Sequence, residues 1–566
     1  MRAWLPATCL VVLLFLPFAE GRGFYYNSIA QEYRLNSDKT ATVQVGFEVV
    51  NPEIGQSLTG ISWTVPYAVT EVRAWDERGS LSVSTEKREN QTTMSISFRS
   101  PVYGGQSLSF WLEYRGEGMV HGVDSEFRGR FGAFQAGERE VRSYEVRVVG
   151  PPGTRLFLTS PSAEVQGENV RLRTSLRAGE SFEGLLAVFY RTPISYRVSL
   201  VETLANKGGE DSTVLLDILL FNLSQSQFAA LYSSSHPIES IYVDEENNWH
   251  ACFKLRLRSG ATENIRLELL WICDIHSPGV GPENSGRLAE VGPALDPYLK
   301  GDEWWEVDNP YIQQIASLLA AGETNIYHLA EKIVRGVGNM LEYRETEFRQ
   351  GALQTLRRGT GDCDGYSDLT ITLARASGLP ARLCLGWVLK ESGSGGHAWV
   401  EFYTPSFGWQ PADPTWAENW GDYLFTSDPV RLLRGVRGLS SSNSTVSISY
   451  FGPTPTMEEL ASVSQLKDQE ILPLLLQACN LSLRMAEQLA KPENPTLMEA
   501  RSFYELASNQ GSVESALRSL WCSYQILSKL GKKAELRQKL LPRWVPILVL
   551  LTTGMLAVVR LLLRKR

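Results

Sequence analysis

The period of the apolar pattern changes once along this chain, and that change limits the fold more than any other feature. From Phe24 to about Tyr190 apolar and polar residues alternate, as in Thr42-Val43-Gln44-Val45-Gly46-Phe47 and at Leu108, Phe110, Leu112 and Tyr114. Successive side chains of a strand point to opposite faces, so alternation between Gly, Asn and Pro turns predicts a β-sandwich over 22–192. A second strand-rich stretch predicts another β-rich domain over 193–276, and Pro and Gly then mark a linker over 277–308. Helical spacing begins at Asn309-Pro310, where Pro suits a first helical turn, and continues through Ile312, Ile315, Leu318 and Leu319, then Ile326, Leu329 and Ile333. The expected fold class is therefore multidomain: an all-β N-terminal region, a central α+β domain over 309–452 and a C-terminal helical region over 453–540. The helical region is expected because Thr456-Met-Glu-Glu459 and Thr496-Leu-Met-Glu499 both carry the capping pattern that opens a helix, ahead of a third helix at Val513 to Leu530. A helical stalk is the expected role of these last elements.

Composition excludes other classes. The length of 566 residues allows three or four domains. With 43% hydrophobic and 21% charged residues the chain is not disordered, and 7 Cys are too few for a disulfide-packed miniprotein. A net charge of -8 lacks the basic surface that phosphate contacts need, so no nucleic-acid partner is expected. The 6 His are scattered without paired ligand spacing, and neither metal nor cofactor is expected. The acidic cluster Asp362, Asp364 and Asp368 lacks the spacing of a calcium loop and is expected on helix-start and solvent-facing positions. Trp304 and Trp305 are expected to pack in the interior.

The two ends predict a location. Arg2, the apolar run Cys9 to Phe18 and the small residues Ala19 and Gly21 have the layout of an export signal over 1–21. Trp544 to Leu563 is long enough to cross a hydrocarbon layer, and Arg564, Lys565 and Arg566 would follow it as a cytoplasmic tail over 564–566. These features predict a single-pass membrane protein, in contact with lipid through its C-terminal helix and with most of its mass extracytoplasmic. An oxidising compartment raises the prospect of disulfides: Cys252 with Cys273 across a supposed hairpin, and Cys479 with Cys522 between helices. Asn90, Asn222, Asn443 and Asn480 each begin a glycosylation sequon.

Chemistry concentrates in Gly359-Thr-Gly-Asp-Cys363-Asp-Gly through Gly378-Leu-Pro380. Leu369, Leu373 and Ala376 share a helical face, while Gly378 and Pro380 end the helix, so Cys363 falls at a helix N-terminus. Unpaired amides and the helix dipole favour a thiolate there. Beyond Pro380, strand-like runs separated by turns place the midpoint of His397 and Asp413 at residue 405, inside the Thr404 to Gly408 turn. A hairpin then sets imidazole against carboxylate, the arrangement a thiol nucleophile needs. Cys384, on the strand after the helix, is expected as a small core residue, although a bond to Cys363 would block the nucleophile.

Gly361-Asp-Cys363-Asp-Gly, Ala376-Ser-Gly-Leu-Pro-Ala-Arg382, His397-Ala-Trp-Val-Glu401 and Gly408-Trp-Gln-Pro-Ala-Asp413-Pro-Thr closely resemble the transglutaminase-like superfamily, over about Asn309 to Asp428. The resemblance implies a papain-type core in a membrane-anchored, microbial-type member. It puts the nucleophile on Cys363, the base on His397 and the third member on Asp413. The implied function is attack on amide or peptide bonds of a protein or peptide substrate through a thioester, with hydrolysis favoured over transamidation because water needs no second binding site. The backbone amide of Cys363 is the physical candidate for stabilising the oxyanion. The alternative is a cell-surface binding or assembly protein with an inactive scaffold. The oligomeric state is not legible.

Overall fold

A computed structural model describes residues 24–88, 91–123, 125–138, 140–390, 393–416 and 423–533. In the N-terminal region ten strands form one hydrogen-bonded sheet running from Glu164–Gln166 at one edge to Ser57–Val65 at the other. Alternation dictates its packing: in Ala41–Val50 every second side chain is buried. The sheet curls back on itself, so that Phe47 and Trp63, several strands apart, bring their rings to 5.0 Å. A three-stranded sheet, Arg155–Ser160, Leu185–Tyr190 and Glu126–Phe131, closes the core.

The second β-rich unit is a sandwich of two four-stranded sheets. One holds Gln227–Ser234, Thr262–Cys273, Ile194–Ala205 and Thr456–Gln465; the other holds Ser240–Val243, Asn248–Leu257, Ser212–Asn222 and Val446–Phe451. Each sheet therefore takes an edge strand from beyond the central domain, which is inserted into the sandwich. Two expectations are corrected here. Thr456 to Glu459 does not open a helix: Thr456–Gln465 pairs with Ile194–Ala205 from Ala205↔Thr456 to Tyr196↔Gln465, because a ten-residue ladder outweighs a local cap. Cys252 and Cys273 do not face each other across a hairpin. Their strands lie in different sheets, Cys252 opposite Asp217 and Ser240, Cys273 opposite Ile194 and Gln227. Both are buried and neither is in a disulfide, and the same holds for Cys479 and Cys522.

Helix α1 (Pro310–Ala320), α2 (Ile326–Met340), α3 (Ala352–Arg358) and α4 (Cys363–Ala376) belong to the central domain. Asn309 and Asn325 cap α1 and α2 by accepting from Tyr311 N and His328 N. The helices pack against an antiparallel sheet ordered Gly408–Ala412, Gly393–Thr404, Ala381–Lys390, Arg431–Arg437. The expected linker is part of this domain, with Val280, Leu288 and Val291 against its core. The outer edge of Arg431–Arg437 is sealed by amide side chains of the sandwich. Gln227 donates to Leu433 O at 2.6 Å and accepts from Leu433 N at 2.8 Å, and Asn248 does the same with Val436 at 2.9 Å. Two side chains thus stand in for the missing neighbouring strand.

Helices α5 (Asp468–Leu489), α6 (Pro495–Gln510) and α7 (Val513–Leu530) do not form a free stalk. Leu475, Ala478, Leu520 and Tyr524 are buried in the sandwich core, and the Tyr524 ring lies 4.6 Å from Trp249. Among the described residues no helix is long and apolar enough to cross a membrane. The expected membrane-spanning helix, and lipid contact through it, thus find no support among the described residues; the 544–563 segment, the 564–566 tail and the 1–21 signal lie outside them.

The sequons fall in different settings. Asn222 is buried, and its amide nitrogen donates to Glu246 O and Asn248 Oδ1, so a glycan there is incompatible with the fold. Asn443 is exposed, Asn480 is half-buried within α5, and Asn90 lies outside the described residues.

Candidate active site

Cys363 opens α4, half-buried and free. Asp362 is its N-cap, accepting from Gly365 N at 3.1 Å, from Thr346 N at 3.3 Å and from the Thr346 hydroxyl. Its carboxylate thus satisfies amides at the start of the helix. Asp364, just after Cys363, is half-buried; desolvation pushes its carboxyl up, Arg349 opposes this, and the Asn443 side chain also bonds to it. Asp368 is fully buried rather than solvent-facing. It accepts from Trp305 Nε1 at 2.9 Å and from Arg349 Nε at 2.8 Å, tying α4 to the chain before α1 and α3; burial raises it to about 6 against the pull of Arg349. Trp305 is fully buried, as expected.

His397 stands on Gly393–Thr404, opposite Gly386. A Cβ at Gly386 would lie 1.8 Å from the Leu432 carbonyl oxygen and 3.0 Å from the Trp399 ring, so only glycine allows this approach. The hairpin register pairs Thr404 with Gly408 and Val400 with Ala412, centring the turn one residue later than residue 405. Asp413 consequently follows the last paired residue and reaches His397 diagonally, with Nε2···Oδ2 at 2.7 Å. The Cys363 thiol bonds to the same imidazole, and with Nε2 taken, Nδ1 is the nitrogen left for sulfur. Burial alone would pull His397 down, but Asp413 and then Cys363 outweigh it and hold the ring at about 9. Asp413 is fully buried; the His397 and Arg431 cations nevertheless keep its carboxyl below the usual range.

Four contributors were not read from the sequence. Arg431 donates to Asp413 Oδ2 at 3.0 Å and pairs with Asp428 at 3.2 Å, its side chain wholly buried beneath Trp416 and Tyr423. Trp399 and Trp416 flank the His397 ring, each with its centroid at 5.8 Å, and fix its plane. Tyr343, on a short strand parallel to Thr360–Gly361, is half-buried close enough to Cys363 to be raised by it, after burial. The one usable signal was the Trp in His397-Ala-Trp399. Cys384 is a buried free thiol on Ala381–Lys390, so Cys363 is not cross-linked to it.

A helix-borne thiol facing a strand-borne imidazole backed by a carboxylate defines a domain of the cysteine-dependent enzyme type. Residues 313–414 match the model of the transglutaminase-like superfamily, so this domain is transglutaminase-like. Comparison with curated proteins finds no match. Among solved structures, a candidate cysteine protease from Cytophaga hutchinsonii is 16% identical, aligned over 49% of this chain and 92% of its own, with a TM-score of 0.38. Leukotriene A4 hydrolase from Saccharomyces cerevisiae is 10% identical over 31% of this chain and 30% of its own, with a TM-score of 0.23. A candidate protease from Parabacteroides distasonis is 11% identical over 74% of this chain and 72% of its own, with a TM-score of 0.18.

Proposed function

We propose that this chain hydrolyses amide or peptide bonds of a protein or peptide substrate, with Cys363, His397 and Asp413 as its catalytic triad. Cys363 Sγ, paired as a thiolate with the His397 imidazolium, attacks the carbonyl carbon. The imidazolium gives its proton to the departing amine, leaving a thioester, and His397 then activates water to release the acid. Asp413 holds the ring and balances its charge, and Arg431 keeps Asp413 ionised and in place. The amide of Cys363, at the start of α4, serves the oxyanion. Water is favoured over an amine as acceptor because it needs no second site. Work outside the cytoplasm is part of the same proposal and rests on the apolar Cys9 to Phe18 pattern. The reading is carried by one observation: the 2.7 Å His397–Asp413 contact, buried and shared with a thiol at a helix start.

Incubation with peptide libraries, followed by mass spectrometry of products with and without a primary amine, tests it. New termini or released ammonia without amine incorporation are expected, and Cys363→Ala should abolish both while its melting transition is retained. Turnover persisting in that variant contradicts the assignment, and amine incorporation exceeding hydrolysis contradicts the choice of water.

A further inference from the structure

A large concavity of the molecule lies far from the thiol in sequence, on the outward face of the ten-stranded sheet. It is a trough of about 640 Å³. Its floor is low because Ala30 and Gly46 sit side by side on neighbouring strands. Gly46 pairs with Trp111, and a Cβ there would press on the indole at 3.3 Å, so the glycine lets the ring lie along the floor. Trp75, opposite Trp111 on the next strand, stacks beside it with a 16° interplanar angle and centroids 6.4 Å apart. Trp111 supplies the aromatic surface of the trough, with Trp75 stacked beside it just outside the lining.

The other side is polar and mixes both signs of charge: Glu32, Glu145 and Glu164 line it with Arg147 and Arg171, and Arg173 also bonds Glu145. Arg171 grips Glu145 through two bonds of 2.7 and 2.8 Å, while Arg147 bridges Glu32 at 2.9 Å and Asn169 at 2.8 Å. Gln44, on the floor strand beside Gly46, adds an amide. Each bonded guanidinium and carboxylate here is held in a fixed orientation yet keeps further hydrogen-bonding positions, so the wall presents donors and acceptors with little net field.

This combination selects a ligand chemistry. An anionic ligand would need uncompensated cations, and an acyl chain would need apolar walls. An extended peptide would need a long open strand edge, whereas the edge strand at the trough, Glu164–Gln166, has only 3 residues and the other strands that line it are paired on both sides. A neutral saccharide meets both surfaces: its ring C–H face lies on an indole, and its hydroxyls exchange hydrogen bonds with orientated amide, carboxylate and guanidinium groups. We infer that the trough binds a neutral oligosaccharide, separately from the thiol chemistry.

The test screens the full chain against an array of neutral gluco-, manno-, galacto-, xylo- and N-acetylglucosamine oligomers, then titrates the best binder by calorimetry and tryptophan fluorescence. Saturable binding is expected, with a change in fluorescence and little dependence on salt between about 0.1 and about 0.5 M. Trp111→Ala should weaken it at least about tenfold, and Trp111→Phe, which keeps a ring, should retain most of it. Trp75→Ala provides a second variant should Trp111→Ala lose its melting transition. Binding to none of these oligomers, binding unchanged in both alanine variants, or binding only to charged glycans or peptides and lost with salt would each overturn the inference.

Discussion

His397 carries a charge balance that sets its own pH dependence. Its ordinary value of 6.5 rises to about 9 because Asp413 and Cys363 outweigh burial. A group raised on folding adds stability that is complete below its unfolded value and is lost as pH rises through the folded one. The melting temperature of the native chain should therefore exceed that of His397→Gln most at about pH 6 and least at about pH 10; a gap that stays constant or widens contradicts the pair. Arg431 serves the same balance from behind, since removing one member of a buried pair leaves an unpaired charge and costs roughly 3–5 kcal/mol. The sequence made Cys363, His397 and Asp413 legible because helical period and hairpin spacing are local signals. Arg431 was not legible: it reaches Asp413 through the pairing of Arg431–Arg437 with Ala381–Lys390, a contact between strands far apart in the chain. Asp368 was misread for a similar reason, its burial depending on Arg349 and Trp305.

At the scale of elements, the strands of the central sheet hold the site in register. Gly386 lies at an irregularity between Leu385 and Gly386, where Arg431–Arg437 approaches most closely. Gly386→Ala must push Leu432 or Trp399 aside. Such overpacking costs about 1–3 kcal/mol, and His397, opposite Gly386, would move with them. The expected outcome is a lowered melting temperature together with a fall in kcat/KM; an alanine variant with both parameters native would contradict the close approach. The Gln227 and Asn248 amides extend this frame, fixing the outer edge of the strand that bears Arg431. Period told helix from strand across most of the chain, but it failed at Thr456 to Glu459. A capping pattern records a local preference only, and the ladder with Ile194–Ala205 was available from a distant segment.

At the scale of the molecule, the central domain is an insertion in a sandwich that α5 to α7 complete. The sequence order suggested successive beads, since nothing in the spacing of Cys252 and Cys273 distinguishes a hairpin from a crossing between sheets. The C-terminal helices are structural: Leu475, Leu520 and Tyr524 fill the core with Trp249 and Phe221. Large core truncations cost about 3–5 kcal/mol, so Tyr524→Ala should lower the melting temperature of the whole chain, and a chain ending after Gln465 should lose its cooperative transition. A native transition in that truncated chain would restore the stalk. The frame matters because it delivers Arg431 to Asp413, Asp413 to His397 and His397 to sulfur. Alkylation of Cys363 by iodoacetamide, followed by mass spectrometry at about pH 6, reads the end of that chain directly. Rapid labelling, slowed at least about tenfold in His397→Gln, is the predicted result; equal rates in the two proteins would show that the imidazole does not activate the thiol.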